Sequence, residues 1–409
     1  MTFQENKTKK YIAILVSGVS ISSVGDFIYL LALNISVLRQ THSAFLVAGL
    51  WALPKTAALL VGPWIGSISD RFFRRTQLIA MEICRAVLTF VLPEVSTHLY
   101  AVYSIVFLLG VCSTWFGNNF FPYQTILVPS ERRKQVNALL NASRYGAFLI
   151  GPAIGAVLLA SNHTYIAFWS ESLSFAVSGM TFVLLPDIGS RSPRADNKGT
   201  LNTLRTDWGN AVTFLKHQKL FFVLFYMNAL VGMLIMAGDS QEVVFATDAL
   251  HLGRYGYAMM LTGAGAGFFL GALALTIASR RVRSKWLIGI GRICSVLGYL
   301  IYSTSYSASW AILGLIIMGA FSSSASVGLT TYAQKVLPDQ QMGRIASVLG
   351  VPQQIISILL IVFAGYLASL YTIRIVMIIM SVPMCMLGIS MLIVVNLPRN
   401  HEQLIGLDT

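Results

Sequence analysis

The chain is built from long apolar runs separated by short polar breaks. Twelve runs lie at residues 13–37, 44–65, 77–95, 99–121, 136–160, 165–185, 220–240, 256–279, 286–305, 308–330, 345–369 and 373–396. Each is close to the roughly 20 residues a helix needs to cross a hydrocarbon core about 30 Å thick. The pattern predicts an all-helical integral membrane protein with twelve spans. The polar first ten residues precede an apolar run that is too long for a signal peptide and has no small-residue cleavage site, so it reads as the first span.

The breaks differ in charge according to side. With the N-terminus in the cytoplasm, 22 of the 29 Lys and Arg residues fall in inner loops and tails, among them Lys9, Lys10, Arg71, Arg74, Arg75, Arg132 and Arg133. Only Arg39, Arg254 and Arg374 fall outside, and Lys55, Arg85, Arg144 and Arg292 lie within spans. This bias follows the positive-inside rule and predicts a multi-pass protein of the cell membrane with both termini cytoplasmic.

Composition agrees. Hydrophobic residues make up 56% of the 409 and charged residues 11%, with mean hydropathy +0.70, whereas soluble globular chains are about a quarter charged. The net charge of +13 is mostly a topology signal, and no nucleic-acid partner is expected. Cys84, Cys112, Cys294 and Cys385 all lie inside apolar runs without metal spacing, so they read as packing residues. No cofactor or metal is expected.

One long polar segment divides the chain into an N-terminal six-helix half at 1–185, a cytoplasmic central loop at 186–219, and a C-terminal six-helix half with a short tail at 220–409. Spaced apolar residues at 201–214 suit an amphipathic surface helix. The halves also resemble each other. Val128-Pro129-Ser130-Glu131 through Leu140 aligns with Leu337-Pro338-Asp339-Gln340 through Leu349 at an offset of 209. The same offset carries Gly62, Arg71 and Arg74 onto Gly271, Arg280 and Arg283, while Asp70 becomes Ser279. Two loops in one register indicate parallel repeats, an arrangement used by one large class of transporters. Loss of the acid predicts that Asp70 matters more than its counterpart.

The residues Gly66-x-x-x-Asp70-Arg71-x-x-Arg74-Arg75 resemble the signature between the second and third helices of the major facilitator superfamily, and the twelve-span plan with a long central loop is similar along nearly the whole chain. Gly146-Ala-Phe-Leu-Ile-Gly151-Pro152-Ala-Ile-Gly155 is similar to the glycine-proline antiporter motif of that family's drug exporters. Gly25-Asp26, Glu82-x-x-Arg85, Phe121-Pro122, Val128-Pro129 and Asn137-Ala138-Leu139 resemble the macrolide-efflux type of drug:proton antiporter. The fourth span has no arginine and so departs from the family's usual proton-linked motif there. The resemblance implies a cytoplasmic gate at Gly66, Asp70, Arg71, Arg74 and Arg75, and a fifth span shaped by Gly146, Gly151, Pro152 and Gly155.

Ionisable residues inside a span cost several kcal/mol by most estimates and are functional candidates by default. Asp26 lies half-way through the first span, with Lys55 at comparable depth on the second. Asp26 reads as a proton-coupling or substrate-contact residue, or as half of a structural ion pair with Lys55. Glu82 and Arg85 share one helical face and read as an inward extension of the gate. Arg144 either faces a cavity or snorkels to the inner surface. Glu171 is a candidate second protonation site or a local pair. Asp239 and Glu242 read as lining an outer vestibule. Asp26, Lys55 and Arg144 are the expected substrate-cavity residues.

Gly263-Ala-Gly265-Ala-Gly267 and Gly271 lie in an apolar run with no preceding strand, which favours helix packing over a phosphate loop. No nucleophile, base and acid constellation appears, so no enzyme is expected. The expectation is a monomeric secondary transporter, in contact with bilayer lipid, that exports small amphiphilic, drug-like compounds in exchange for protons. Proton-coupled uptake, lysolipid flipping and a non-transporting membrane sensor are the alternatives.

Overall fold

The computed structural model describes residues 2–69, 72–160, 164–187, 218–278, 284–336 and 342–397. Twelve long helices account for nearly all of them. They are α1 (Thr2–Thr41), α2 (Ala44–Ser69), α3 (Arg74–Val91), α4 (Leu99–Leu127), α5 (Ser130–Ala160), α6 (Thr164–Val183), α7 (Lys219–Asp239), α8 (Arg254–Ala278), α9 (Ser284–Thr304), α10 (Ala308–Val336), α11 (Met342–Leu370) and α12 (Ile373–Asn396). A short helix, Glu242–Val244, runs into a wide π-type turn at Phe245–Ala249, closed by a bond from Leu250 N to Phe245 O at 3.1 Å. The central segment with its expected surface helix at 201–214 lies outside the described residues, as do Asp70, Arg71, Ser279, Arg280 and Arg283.

Eleven of these helices are long and apolar enough to cross a membrane, and α3 is not. The physical reason is on its surface. In 18 residues α3 carries Arg74, Arg75, Glu82 and Arg85, too polar a set for an average over its length to read as lipid-soluble. Yet α3 is turned inside out relative to a water-soluble helix. Gln77, Glu82, Arg85 and Thr89 are buried, while Ile83, Val87 and Phe90 are each more than half exposed. An outward apolar stripe and an inward polar one suit contact with lipid.

Several helices are longer than the apolar runs. α4 continues past Pro122 to Leu127, and α5 starts at Ser130, where Ser130 Oγ donates to Glu131 Oε1 at 2.8 Å. Arg133 donates to the carbonyls of Val128 and Thr125 at 3.2 and 2.9 Å, satisfying acceptors that the end of α4 leaves open. Arg75 does the same for α6, donating to Phe182 O at 3.1 Å and Val183 O at 2.6 Å. The loop arginines thus cap helix ends. Within the helices, hydroxyls such as Ser23, Thr56 and Thr114 donate to the carbonyl four residues back, which keeps a polar side chain satisfied without water.

The chain separates into two compact units, α1–α6 with Leu252–Thr262, and α7, the rest of α8 and α9–α12. In the first, α1 packs on α5 and α6, α3 on α4 and α6, and α2 on α4. Its core joins Leu15, Leu78, Phe120, Tyr123, Val136 and Phe182. The first turns of α8 are tied here, since Asn34 Nδ2 donates to the Tyr257 hydroxyl at 3.2 Å and Arg254 donates to Leu159 O at 3.0 Å.

In the second unit α9 packs on α10 and α12, and α7 on α11 and α12, around Phe221, Leu224, Ile288, Leu329, Tyr332 and Met391. The glycine run of α8 is a packing surface. A Cβ at Gly267 would lie 2.8 Å from Ile316 Cα, and one at Gly271 would lie 2.5 Å from Ala320 Cα. Backbone cannot give way as a side chain can. Gly271→Val is therefore expected to destabilise the protein by about 1–3 kcal/mol or more, read as a lower unfolding temperature in detergent, with Gly232→Val, where nothing lies within 4 Å, as the tolerated control.

Candidate functional site

Side chains singled out on α1, α3 and α5 line one cavity, and Glu171 of α6 lies behind it. Glycines make this approach possible. At Gly25 of α1, a Cβ would collide with Glu171 Oε2 and lie 2.9 Å from Ser174 Cβ, so α6 presses its acid against the α1 backbone beside Asp26. On the other flank, a Cβ at Gly151 of α5 would lie 2.7 Å from Phe27 Cβ, and one at Gly155 would lie 2.8 Å from Leu31 Cδ2. The Phe27 and Phe148 rings stack at 4.6 Å, and Ser20 Oγ donates to Ser143 Oγ at 2.8 Å. Asp26 is thus held from both sides. Gly146, by contrast, has open space where a side chain would go.

A cavity of about 410 Å³ opens between α1, α3, α4 and α5, with Asp26, Glu82, Arg85, Ser113, Phe116 and Arg144 on its walls. Asp26 is exposed to this space. Glu171 is fully buried behind it, its Oε2 accepting from Ser174 Oγ at 2.9 Å, and the Asp26 and Glu171 carboxyls are within hydrogen-bonding reach. Opposite them, Arg85 pairs with Glu82 at 2.6 Å. Ser178 Oγ donates to Glu82 Oε1 at 3.1 Å. The Arg85 guanidinium also lies between two rings, 4.6 Å from the Phe116 centroid and 4.3 Å from that of Phe175, contacts that stabilise a desolvated cation.

Arg85, Glu171, Arg144 and Glu82 are among the charged groups that interact with Asp26. Lys55 does not line this cavity; it sits half-buried on α2. Comparable depth suggested an Asp26 and Lys55 pairing; the charged groups placed around Asp26 stand on α3, α5 and α6. Arg144 faces the cavity. Glu82 and Arg85 also stand in its wall, facing Asp26, whereas Arg75 stays at the loop end of α3 on the α6 carbonyls and Arg74 is half-buried beside it. Gly66 is described only as part of the α2 backbone.

Sequence reasoning missed the supporting groups Ser174, Ser178, Phe116 and Phe175. The adjacent Gly25 was the available signal for a close neighbour at Asp26. Glu242 also differs from expectation. Glu242 is 4% exposed and belongs to the interior of the second unit, not to an open vestibule.

The arrangement has two acids able to pass a proton between them, a paired arginine within electrostatic range of both, and a cavity-facing Arg144, all beside a space large enough for a small molecule. It has the contents of a binding site.

The Major Facilitator Superfamily model matches residues 15–360 and 243–407. The uncharacterized MFS-type transporter YfiS of Bacillus subtilis is 24% identical over 418 residues, covering 98% of this chain and 96% of that one. A Deinococcus radiodurans protein whose name places it among sugar efflux transporters is 23% identical over 342 residues, covering 80% and 82%. Among solved structures, a POT family transporter bound to 5-aminolevulinic acid superposes with a TM-score of 0.75 at 13% identity, covering 93% of this chain and 95% of that one. A bacterial homologue of the human lysosomal transporter Spinster gives 0.69 at 14%, covering 94% and 97%. At these identities the structures speak to fold alone. Taken with the multi-pass helical fold, the family match leads to one conclusion: the chain belongs to the major facilitator superfamily of membrane transporters.

Proposed function

We propose that this protein is a proton antiporter of the cell membrane that exports small amphiphilic compounds of the kind handled by macrolide-efflux and other drug exporters. The observation that carries the reading is the Asp26 and Glu171 pair, an acid open to a cavity in hydrogen-bonding reach of a fully buried one, with Arg85 and Arg144 acting on it. A proton arriving at Asp26 neutralises the wall of the cavity and frees Arg85 and Arg144 from its attraction. Departure of the proton restores that attraction. Substrate and proton then compete for one set of charges, which is the requirement for exchange.

In this reading α3, with its lipid-suited outer face, is the twelfth span. The protein works as a monomer with both termini in the cytoplasm, and its two six-helix halves alternate access to the cavity. The loop around Gly66, Asp70, Arg71, Arg74 and Arg75 serves as the inner gate, with Arg75 anchoring it to α6. Gly151, Pro152 and Gly155 keep α5 tight against α1.

A second substrate class is favoured by the cavity wall itself. Ser22, Ser23 and Ser113 stand there among the charges, a lining suited to a hydroxylated substrate, and one relative bears a sugar-efflux name. The test is reconstitution into vesicles with an imposed pH gradient and a panel of cationic dyes, macrolides, lysolipids and sugars. Drug or dye flux that follows the gradient is expected. Sugar flux alone selects the second class, and flux indifferent to the gradient overturns antiport.

A further inference from the structure

The second unit contains its own buried acids, away from the cavity just described. Asp239 ends α7, and Glu242 begins the short helix that leads into the π-type turn. Glu242 is 4% exposed and its Oε1 has no hydrogen-bond partner among the described residues. From α9, Tyr299 is fully buried, and its hydroxyl also lacks a partner there. That hydroxyl sits against Gly238, the residue before Asp239: a Cβ there would collide with it and lie 2.9 Å from Tyr299 Cζ. Both carboxylates act electrostatically on Tyr299, and Asp239 acts on Glu242.

Among the described residues no cation forms an ion pair with either acid. The bases nearest along the packed elements bond to neutral groups: Arg374 of α12 donates to Ser305 O and Ala249 O and lies 3.9 Å over the Tyr306 ring and 5.7 Å over the Phe245 ring, and Arg292, two turns back along α9, bonds to Asn228 Oδ1. The third acid of the segment, Asp248, is exposed and accepts from Thr247 Oγ1 at 2.8 Å. Tyr302 and Phe245 close the site as rings, Tyr299 to Tyr302 at 5.5 Å and Phe245 to Tyr302 at 5.1 Å. Two carboxylates without a cation, beside orphaned acceptor and donor atoms, are strongly unfavourable in such a place. A small cation bound among them removes the conflict. Wide turns of this type recur at functional sites, and half-buried Asp239 leaves a way in.

We infer that Asp239, Glu242 and the Tyr299 hydroxyl form a site for one small monovalent cation, a proton or Na+. A proton enters as a new O–H bond on one carboxylate, hydrogen-bonded to the other. Na+ enters as an oxygen-coordinated ion on Glu242 Oε1, Asp239 and the Tyr299 oxygen. The inference is independent of antiport at Asp26, because binding is read without flux.

The test uses the purified full-length protein in lipid nanodiscs. One arm follows the carboxylic C=O stretch by infrared difference spectroscopy during a pH titration. The other follows the unfolding temperature as NaCl replaces choline chloride at constant ionic strength and pH. The expected result is a response in one arm that identifies the ion and is lost in Glu242→Gln and Asp239→Asn; in the infrared arm it is a C=O band separate from the one that Asp26→Asn removes. In the sodium case the concentration for half-maximal stabilisation rises at least about tenfold in either variant. Tyr299→Phe removes a single oxygen and is expected to shift the same response, which serves if a carboxamide variant does not fold. No response in either arm for the wild type, or a response equal in every folded variant of the three, overturns the site.

Discussion

Asp26→Asn is expected to lower pH-gradient-driven substrate flux in vesicles by about 5- to 150-fold, the range of typical coupling free energies between two sites, at equal reconstituted protein. Asn preserves the shape of the side chain and its hydrogen-bonding capacity but cannot exchange a proton. The geometry makes this position sensitive for a further reason. Asp26 is the cavity-facing member of its pair, while Glu171 is sealed behind it. A proton reaching Glu171 from the cavity passes Asp26 first. Glu171→Gln is therefore expected to leave some flux, with altered dependence on external pH, whereas Asp26→Asn leaves downhill exchange only. Equal gradient-driven flux in wild type and Asp26→Asn would remove proton coupling from this site.

Arg85→Met should be the most destabilising single change in the first unit. Arg85 is 6% exposed and its partner Glu82 is fully buried, so removing the cation strands an acid whose remaining donor is Ser178 Oγ. Breaking a buried pair in this one-sided way costs about 3–5 kcal/mol in soluble proteins. The loss reads out as a lower unfolding temperature in detergent and a smaller folded fraction on gel filtration. The decisive comparison is the double variant Glu82→Gln with Arg85→Met. It removes both charges, leaves a carboxamide oxygen to accept the Ser178 bond, and places an apolar chain between Phe116 and Phe175, so most of the lost stability is expected to return. A double variant no better than Arg85→Met would mean that Arg85 stabilises the unit through the two rings and not through Glu82.

The apolar runs located the long helices because bilayer thickness fixes their length, and helix ends deviated where polar residues extended helices past the hydrocarbon. α1 begins at Thr2 and α5 at Ser130, since neither lysines nor a Ser-Glu start opposes a helix in water. α3 was legible as a run but fails as an average over composition. The site was legible as a set of residues and much less as an arrangement. Intramembrane charge picked out Asp26, Arg85, Arg144 and Glu171, yet which of them meet depends on helix rotation, and that is set by small residues whose partners are distant in the chain. Gly25 faces Glu171, and Gly151 faces Phe27. Depth along the helix alone pointed Asp26 toward Lys55. The same blindness to rotation made Glu242 look like part of an outer rim when it is buried, and hid that Gly238 lets Tyr299 approach the chain beside Asp239.

With α3 as the proposed twelfth span, its inverted surface bears on how the protein is made. A nascent helix leaving the translocon is tested by itself, and each central Arg or acid weighs about 2.5–3.5 kcal/mol against entry. Glu82 and Arg85 together outweigh what a few residues such as Ile83, Val87 and Phe90 return. The partners that neutralise this polar stripe, Ser178 and Phe175, are on α6, roughly 90 residues later. At roughly 5–20 residues per second, α3 waits on the order of ten seconds for them. During that interval α3 is best accommodated at the translocon flank or against α4, and the first half is committed to the membrane as a group, with α6 completing the insertion of a helix synthesised well before it.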